Sequence, residues 1–161
     1  MPIKKRNFRQ VKKIIGKLLL DNNFNTENFK LSDISDIQIV NALFSFFYSS
    51  NKKLKKNATI LMGVIVDRMA EKNMESARII MRRLMWNLND ESGGIGWGSP
   101  EAMGEIMARN NTLACEYSKI LVSYIKRDGN FIEHKELRDE VILAIKRVAA
   151  GHAKNYKQSN N

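Results

Sequence analysis

The sequence predicts an all-α domain of about seven helices, arranged as a bundle or as a solenoid. Apolar residues recur at the 3.6-residue period of an α-helix in successive segments, and no segment reads as a convincing strand. Helix breakers are scarce: only two prolines and nine glycines occur, and five of the glycines lie between Gly93 and Gly104. The 161 residues, 43% hydrophobic and 27% charged, are enough for one domain with a core.

Helical spacing of apolar residues defines the first four helices, at about residues 8–19, 37–47, 52–72 and 74–88. The first is basic and amphipathic, and a polar connector from Asp21 to about Ser35 separates it from the second. The third is thickly apolar in its middle, which predicts burial from more than one side.

The fourth helix carries apolar residues on two faces. One stripe runs from Ala77 to Leu88, and spacing of about 100° per residue puts a second set on the far side. That set is Ile79, Arg82, Arg83, Trp86 and Asp90. A surface helix does not ordinarily place Ile and Trp on its outer side, so this helix is either sandwiched between neighbours or lines a groove with its second face.

The C-terminal part predicts three further helices and two breaks. The fifth starts with Ser99 as its N-cap and Pro100 at its first helical position, and it ends near Asn110. The sixth follows at about residues 113–125, with Cys115 expected as a small core residue, and ends before the turn at 128–130. The seventh spans about 134–149, with Gly151 as a C-cap.

The stretch ARIIMRRLMWNLNDESGGIGWGSPEAMGEIMA (77–108), followed by LACEYSKILVSYIKRDGNFIEH (113–134), resembles a family of HEAT-like repeat proteins from anaerobic bacteria and archaea. The resemblance covers about residues 37–150, and its most specific part is NDESGGIGWG. It implies a HEAT-like α-α superhelix, a solenoid whose helices arrive in pairs, and it implies no particular activity. We therefore divide the chain into a basic helix (1–22), a HEAT-like repeat domain (36–150) and a frayed tail (151–161).

The loop DESGGIGWGSPE (90–101) differs from everything around it, because acids, glycines and a tryptophan are concentrated between two helices. It is longer than a plain helix connection, and such loops often carry function. The candidate ligand-binding or partner-binding residues are Arg82, Arg83, Trp86, Asn89, Asp90, Glu91, Trp97, Glu101, Glu105 and His134. The sequence leaves open whether this loop is a site or a structural hinge.

Two kinds of site fit the loop poorly. A phosphate-binding loop would supply a lysine after its glycines, whereas this one is flanked by the carboxylates of Asp90, Glu91, Glu101 and Glu105. A metal site is disfavoured because no EF-hand spacing exists and only two histidines occur. No catalytic set is recognisable, and we expect neither a cofactor nor a metal.

The interpretation we favour for the loop is an internal ion-pair network. Arg78, Arg82 and Arg83 precede the loop acids on the fourth helix, and bidentate arginine–carboxylate pairs would hold the loop against that helix. Trp97 would then fill an apolar gap, and the glycines would permit a tight reversal.

The net charge of +10 is unevenly distributed. Basic residues that could meet a nucleic acid are Lys5, Arg9, Lys12, Lys13, Lys52, Lys53 and Lys56. A single cysteine rules out an intrachain disulfide and favours a reducing, cytoplasmic location. No apolar run reaches the roughly 20 residues of a transmembrane helix.

Three functions therefore compete. We expect a non-enzymatic HEAT-like module that binds a protein or peptide. The first alternative is a nucleic-acid-binding protein related in fold to the HEAT-like DNA alkylation glycosylases, an analogy at the level of fold alone. The second is a small-ligand-binding protein or enzyme that uses the acidic Gly/Trp loop, joined by His134.

Overall fold

The structure, a computed structural model, describes residues 5–27 and 29–159, apart from the side chains of residue 90 and residues 155–159. Among these residues, helices are the only regular secondary structure and no strand occurs, which confirms the predicted all-α class. The helices are α1 (Phe8–Leu20), α2 (Asp36–Phe46), α3 (Lys52–Lys72), α4 (Met74–Asn87), α5 (Ser99–Arg109), α6 (Asn111–Ser123) and α7 (Lys135–Ser159). A short 3₁₀ turn, Asp90–Ser92, interrupts the connection between α4 and α5.

Polar side chains determine where most of these helices begin. Asn7 and Ser35 form complete capping boxes, in which the side chain of a glutamine three residues later accepts a hydrogen bond from the backbone N–H of the cap residue. Asn51, Asn73 and Asn110 each accept a hydrogen bond from the first turn of α3, α4 and α6. The free N–H groups of five helices are thereby partly satisfied by residues adjacent in sequence.

The odd-numbered helices lie side by side in one layer, which we call the odd layer. Its largest interfaces join α5 to α7 and α3 to α5. Glycine permits this close approach, because a Cβ at Gly104 would lie 2.9 Å from the Cα of Ala144. Similarly, a Cβ at Gly151 would lie 2.6 Å from the carbonyl oxygen of Ala108. Small residues therefore bring α5 and α7 nearly into backbone contact.

The even-numbered helices form a second layer, which we call the even layer. Each of α2, α4 and α6 packs on its neighbours in the odd layer, but the backbones of these three helices stay apart, and long side chains such as Arg78 and Arg83 bridge them. The space between adjacent even helices is left as grooves on the outside of the layer.

One continuous apolar core lies between the two layers. Its largest fully buried side chains include Phe47, Leu61, Met62, Met81, Leu84 and Met103. The basic helix α1 contributes Val11, Ile15 and Leu19 to the same core. None of the helices in the described part of the chain is long and apolar enough to cross a membrane.

Three local predictions were wrong. Ser99 is not an N-cap: Gly98 takes that place, and the Ser99 side chain is buried within the first turn of α5. Gly151 is not a C-cap, because α7 continues through it to Ser159. Cys115 is exposed on α6 rather than packed in the core.

Candidate functional site

The loop between α4 and α5 is a tight reversal that requires glycine. Gly93, Gly96 and Gly98 have φ angles of 75°, 78° and 77°, in the left-handed region that L-residues avoid. A Cβ at Gly96 would lie only 2.4 Å from the carbonyl oxygen of Asn87. The glycines therefore have a structural reason to be present, as the hinge interpretation expected.

Trp97 attaches the end of this loop to both neighbouring odd helices. Its half-buried ring packs against the core, and the His134 ring meets it edge-on with centroids 4.9 Å apart. The ammonium of Lys55 on α3 lies 5.4 Å from the Trp97 ring centroid, a cation–π contact. The expectation that His134 joins Trp97 agrees with this geometry.

Glu140 of α7 also holds the end of the loop against the odd layer, and the sequence analysis did not identify this residue. This buried carboxylate accepts hydrogen bonds from the Gly98 N–H at 2.9 Å and from Lys55 Nζ at 2.7 Å. It satisfies the N-cap N–H of α5, a role that the third helical residue plays in an ordinary capping box. The sequence could have indicated this residue, because Glu140 lies between Leu137 and Ala144 on the face of α7 that points into the core.

The arginines of α4 do not neutralise the loop. Arg78 donates two hydrogen bonds to Glu116 of α6, at 2.9 and 2.6 Å. Arg82 pairs with Glu75 at 2.5 Å on its own helix. Arg83 donates a hydrogen bond of 2.7 Å to Asn41. Each arginine is therefore directed away from the loop.

The predicted ion-pair network is accordingly wrong for Glu91. This residue is exposed, and its backbone N–H binds the Asn89 side chain at 3.0 Å, but no described side chain pairs with its carboxylate. Asp90 begins the 3₁₀ turn, and its side chain lies outside the described part of the structure. The prediction failed because Arg78, Arg82 and Arg83 are close to the loop in sequence but point toward other partners. Those partners lie on α6, on α4 itself and on α2.

The remaining candidate residues separate onto the two layers. On the even layer, Arg82, Trp86 and Asn89 line a groove of about 520 Å³ between α4 and α6, together with Tyr124 and Phe131. Burial raises the pKa of Tyr124 in this groove to about 12. The groove confirms that the second face of α4 is open to solvent rather than sandwiched.

A second groove lies on the other side of α4. It has a volume of about 480 Å³ and is lined by Phe8 of α1, Tyr48 just after α2 and Arg83 of α4, together with further residues of α2 and α4. The Arg83 guanidinium stacks over Phe44 at 3.8 Å, and its burial lowers its pKa. Large apolar residues are exposed near both grooves. They are Ile37 of α2, Tyr48 just after α2, Ile79 and Trp86 of α4, and Phe8 at the start of α1, and we call this set the outer face.

Glu101 and Glu105 lie on the opposite layer. They line a groove of about 460 Å³ whose walls belong to α3 and α7 and whose floor is α5. We call it the odd-layer groove. Glu105 binds Arg109 and also Arg147, the latter at 3.0 Å. Glu101 pairs with no described residue, and burial together with the negative charge of Glu140 raises its pKa.

The basic residues proposed for nucleic acid are all exposed: Lys5, Arg9, Lys12, Lys13, Lys52, Lys53 and Lys56. The second lysine cluster lies beside the C-terminal end of the basic helix, because Lys53 on α3 donates hydrogen bonds of 2.9 Å to the Leu20 carbonyl and the Asn22 side chain at the end of α1.

Among the described residues, no three His, Cys, Asp or Glu side chains come together as a metal-binding group. Comparison with models of protein families, with curated proteins and with solved structures finds no match to this chain. The chemistry of its surfaces is therefore the basis for the functional assignment.

Proposed function

We propose that this chain is a HEAT-like helical-repeat module that binds a protein partner through the outer face. The observation that carries the proposal is the exposure of Ile79 and Trp86, each 53% accessible, on the ridge that α4 forms between two grooves. The two residues are seven positions apart, so they lie on the same face of α4, and an exposed apolar patch marks a site of association.

The alternation of the two layers supports the HEAT-like part of the proposal. The pairs α2/α3, α4/α5 and α6/α7 each place one helix in the even layer and one in the odd layer. Close packing within one layer and separation within the other would curve successive pairs into a superhelix. The resemblance of residues 77–134 to HEAT-like proteins also supports a HEAT-like arrangement of the helices.

Trp86 has the properties of an interface anchor. A tryptophan side chain buries about 150–250 Å², so covering the exposed half would contribute about 2–3 kcal/mol at 25 cal/mol per Å². Tryptophan and arginine dominate the binding energy of many interfaces, and Arg82 lines the groove beside Trp86.

The charges around the outer face favour a protein over a lipid surface. Arg78 and Arg82 are paired with Glu75 and Glu116 at its edge, so both signs of charge surround the apolar residues. An apolar centre within a mixed polar rim is the usual anatomy of a protein interface.

Site-specific photo-crosslinking in the native cells tests this proposal. A benzophenone amino acid placed at Ile79 or Trp86 is expected to yield the same discrete protein adduct. The matched control is placed at Lys146, an exposed residue of α7 in the odd layer. Equal adducts from position 146, or no adduct from either outer-face position, would refute the proposal, and an adduct with a second copy of the chain would identify self-association.

Nucleic-acid binding is a second candidate, favoured by the exposed basic residues of α1 and by the contact of Lys53 with the end of that helix. Phosphate contacts release counterions, so binding must weaken steeply with salt. Duplex DNA of random sequence should be retarded by the wild type at low salt and released by Lys13→Glu/Lys53→Glu. Absence of retardation, or retardation insensitive to salt, would remove this candidate.

A further inference from the structure

The odd-layer groove combines opposite charges with apolar walls, and most of its charges already have partners. Glu105 is paired with Arg109 and Arg147, and Lys55 is paired with Glu140. These contacts hold the walls of the groove in place and leave little charge for a ligand. The groups that remain determine what the groove can bind.

Glu101 is the carboxylate of the groove that has no described hydrogen-bond donor. As the third residue of α5, it stands where a capping-box glutamate would bind the N–H of Gly98. Glu140 of α7 already accepts that hydrogen bond. The Glu101 carboxylate is therefore left half-buried at the floor of the groove without a described partner, and a buried acceptor without a donor is costly.

Lys52 and Lys56 are the cationic side chains of the groove that have no described acidic partner. They are one turn apart on α3, both are exposed, and both line the groove. Neither forms an ion pair with a described residue. The first turn of α3 contains no acid that could neutralise them, so this wall of the groove is open to an anion.

We propose that the odd-layer groove binds a small anion that carries hydroxyl groups, of the sugar phosphate class. Its phosphate would bind between Lys52 and Lys56, and its hydroxyls would donate to Glu101. Ile60, Leu143 and Ala144 would pack against the carbon skeleton.

The size and charge of the groove suit this class. A volume of about 460 Å³ falls within the range of small-molecule sites, about 300–1,000 Å³. With Glu140 included, the charged groups are four cations and three carboxylates, which leaves a positive balance of one even when Glu101 is ionised. An anion is therefore attracted as a whole, while its hydroxyls satisfy the one unpaired carboxylate. The site lies on the layer opposite the outer face and does not depend on the partner proposed there.

Isothermal titration calorimetry with glycerol, ribose and glucose phosphates tests the proposal, with inorganic phosphate and the parent polyols as partial ligands. We expect at least one sugar phosphate to bind about tenfold more tightly than inorganic phosphate. Glu101→Met removes the acceptor at similar length, and it should bring that affinity to within about twofold of the inorganic phosphate value.

The double variant Lys52→Met/Lys56→Met should weaken the sugar phosphate and inorganic phosphate alike, by about tenfold or more. Lys146→Met is the matched control, because it removes a lysine from α7 outside the groove and should leave both affinities unchanged. Circular dichroism checks that each variant is folded, and the exposed lysines can be replaced without disturbing the core. The proposal is overturned if no sugar phosphate binds better than inorganic phosphate, or if Glu101→Met retains the wild-type preference.

Discussion

The buried Glu140 carboxylate of α7 accepts a hydrogen bond from the backbone N–H of Gly98, 2.9 Å away at the start of α5. The same carboxylate accepts a hydrogen bond from Lys55 of α3. One side chain thus joins three of the four odd helices, α3, α5 and α7, at the point where the glycine-rich loop ends. The loop is held by this contact and by Trp97, and not by the arginines of α4.

Glu140→Ala tests the importance of this junction. The substitution leaves the Lys55 ammonium and the Gly98 N–H without their partner, and we expect the free energy of unfolding to fall by about 3 kcal/mol. Urea denaturation followed by circular dichroism measures the change. The control Glu136→Ala, an exposed acid on the same helix, should cost less than about 1 kcal/mol. Equal losses from both variants would show that Glu140 has no special role.

Gly104→Ala tests the close packing of α5 on α7. A Cβ at this position would lie 2.9 Å from backbone and side-chain atoms of Ala144, so the helices must separate. We expect a loss of about 1–3 kcal/mol in the free energy of unfolding, despite the better helix propensity of alanine. Gly94→Ala is the matched control, because its nearest contact would be the Tyr48 hydroxyl at 3.7 Å. A Gly104→Ala protein as stable as the wild type would contradict the packing described.

Glu91→Gln distinguishes the observed arrangement from a loop held by arginine–carboxylate pairs. No described side chain pairs with Glu91, so its neutralisation should change the free energy of unfolding by less than about 0.5 kcal/mol. Glu116→Gln removes the negative charge and one of the two oxygens that accept hydrogen bonds from Arg78, and it should lower the melting temperature measurably. If Glu91→Gln destabilised the protein as strongly as Glu116→Gln, the loop acid would have a partner after all.

Glu101→Gln is expected to stabilise the protein at neutral pH. Burial and the charge of Glu140 raise the pKa of Glu101 above its unfolded value, so the folded state holds this proton more tightly than the unfolded chain. Above the folded pKa the ionised group therefore lowers stability, and this penalty disappears as the pH falls through that pKa to the unfolded value near 4.5. Thermal unfolding of both proteins across this range should show the advantage of Gln shrinking toward acid pH. An advantage independent of pH, or none at neutral pH, would contradict the assignment.

Local sequence patterns were sufficient to predict most of the helices. The predicted third helix, Lys52 to Lys72, has the bounds observed. Of the two alternatives that the double-faced composition of α4 left open, a sandwiched helix or a groove, the structure shows the groove. Helical periodicity and asparagine or serine caps are properties of neighbouring residues, so they can be recognised without knowledge of the fold.

Predictions that depended on distant partners failed. Gly151 resembled a helix terminus, but its missing side chain admits Ala108 from α5. Arg78 was expected to pair with loop acids twelve or more residues ahead, whereas packing brings it to Glu116 on α6. The odd-layer groove was missed for the same reason, since Lys56, Glu101 and Arg147 meet only when three helices assemble.

Quantitative affinity purification from the native cells tests whether the outer face binds a protein. Wild type, Trp86→Glu and the control Lys146→Glu are compared as baits, with recovered proteins measured by mass spectrometry. An anchoring tryptophan contributes about 2 kcal/mol or more, so recovery of the partner should fall at least about tenfold with Trp86→Glu and stay unchanged with Lys146→Glu. A set of proteins recovered equally by all three baits would contradict the account.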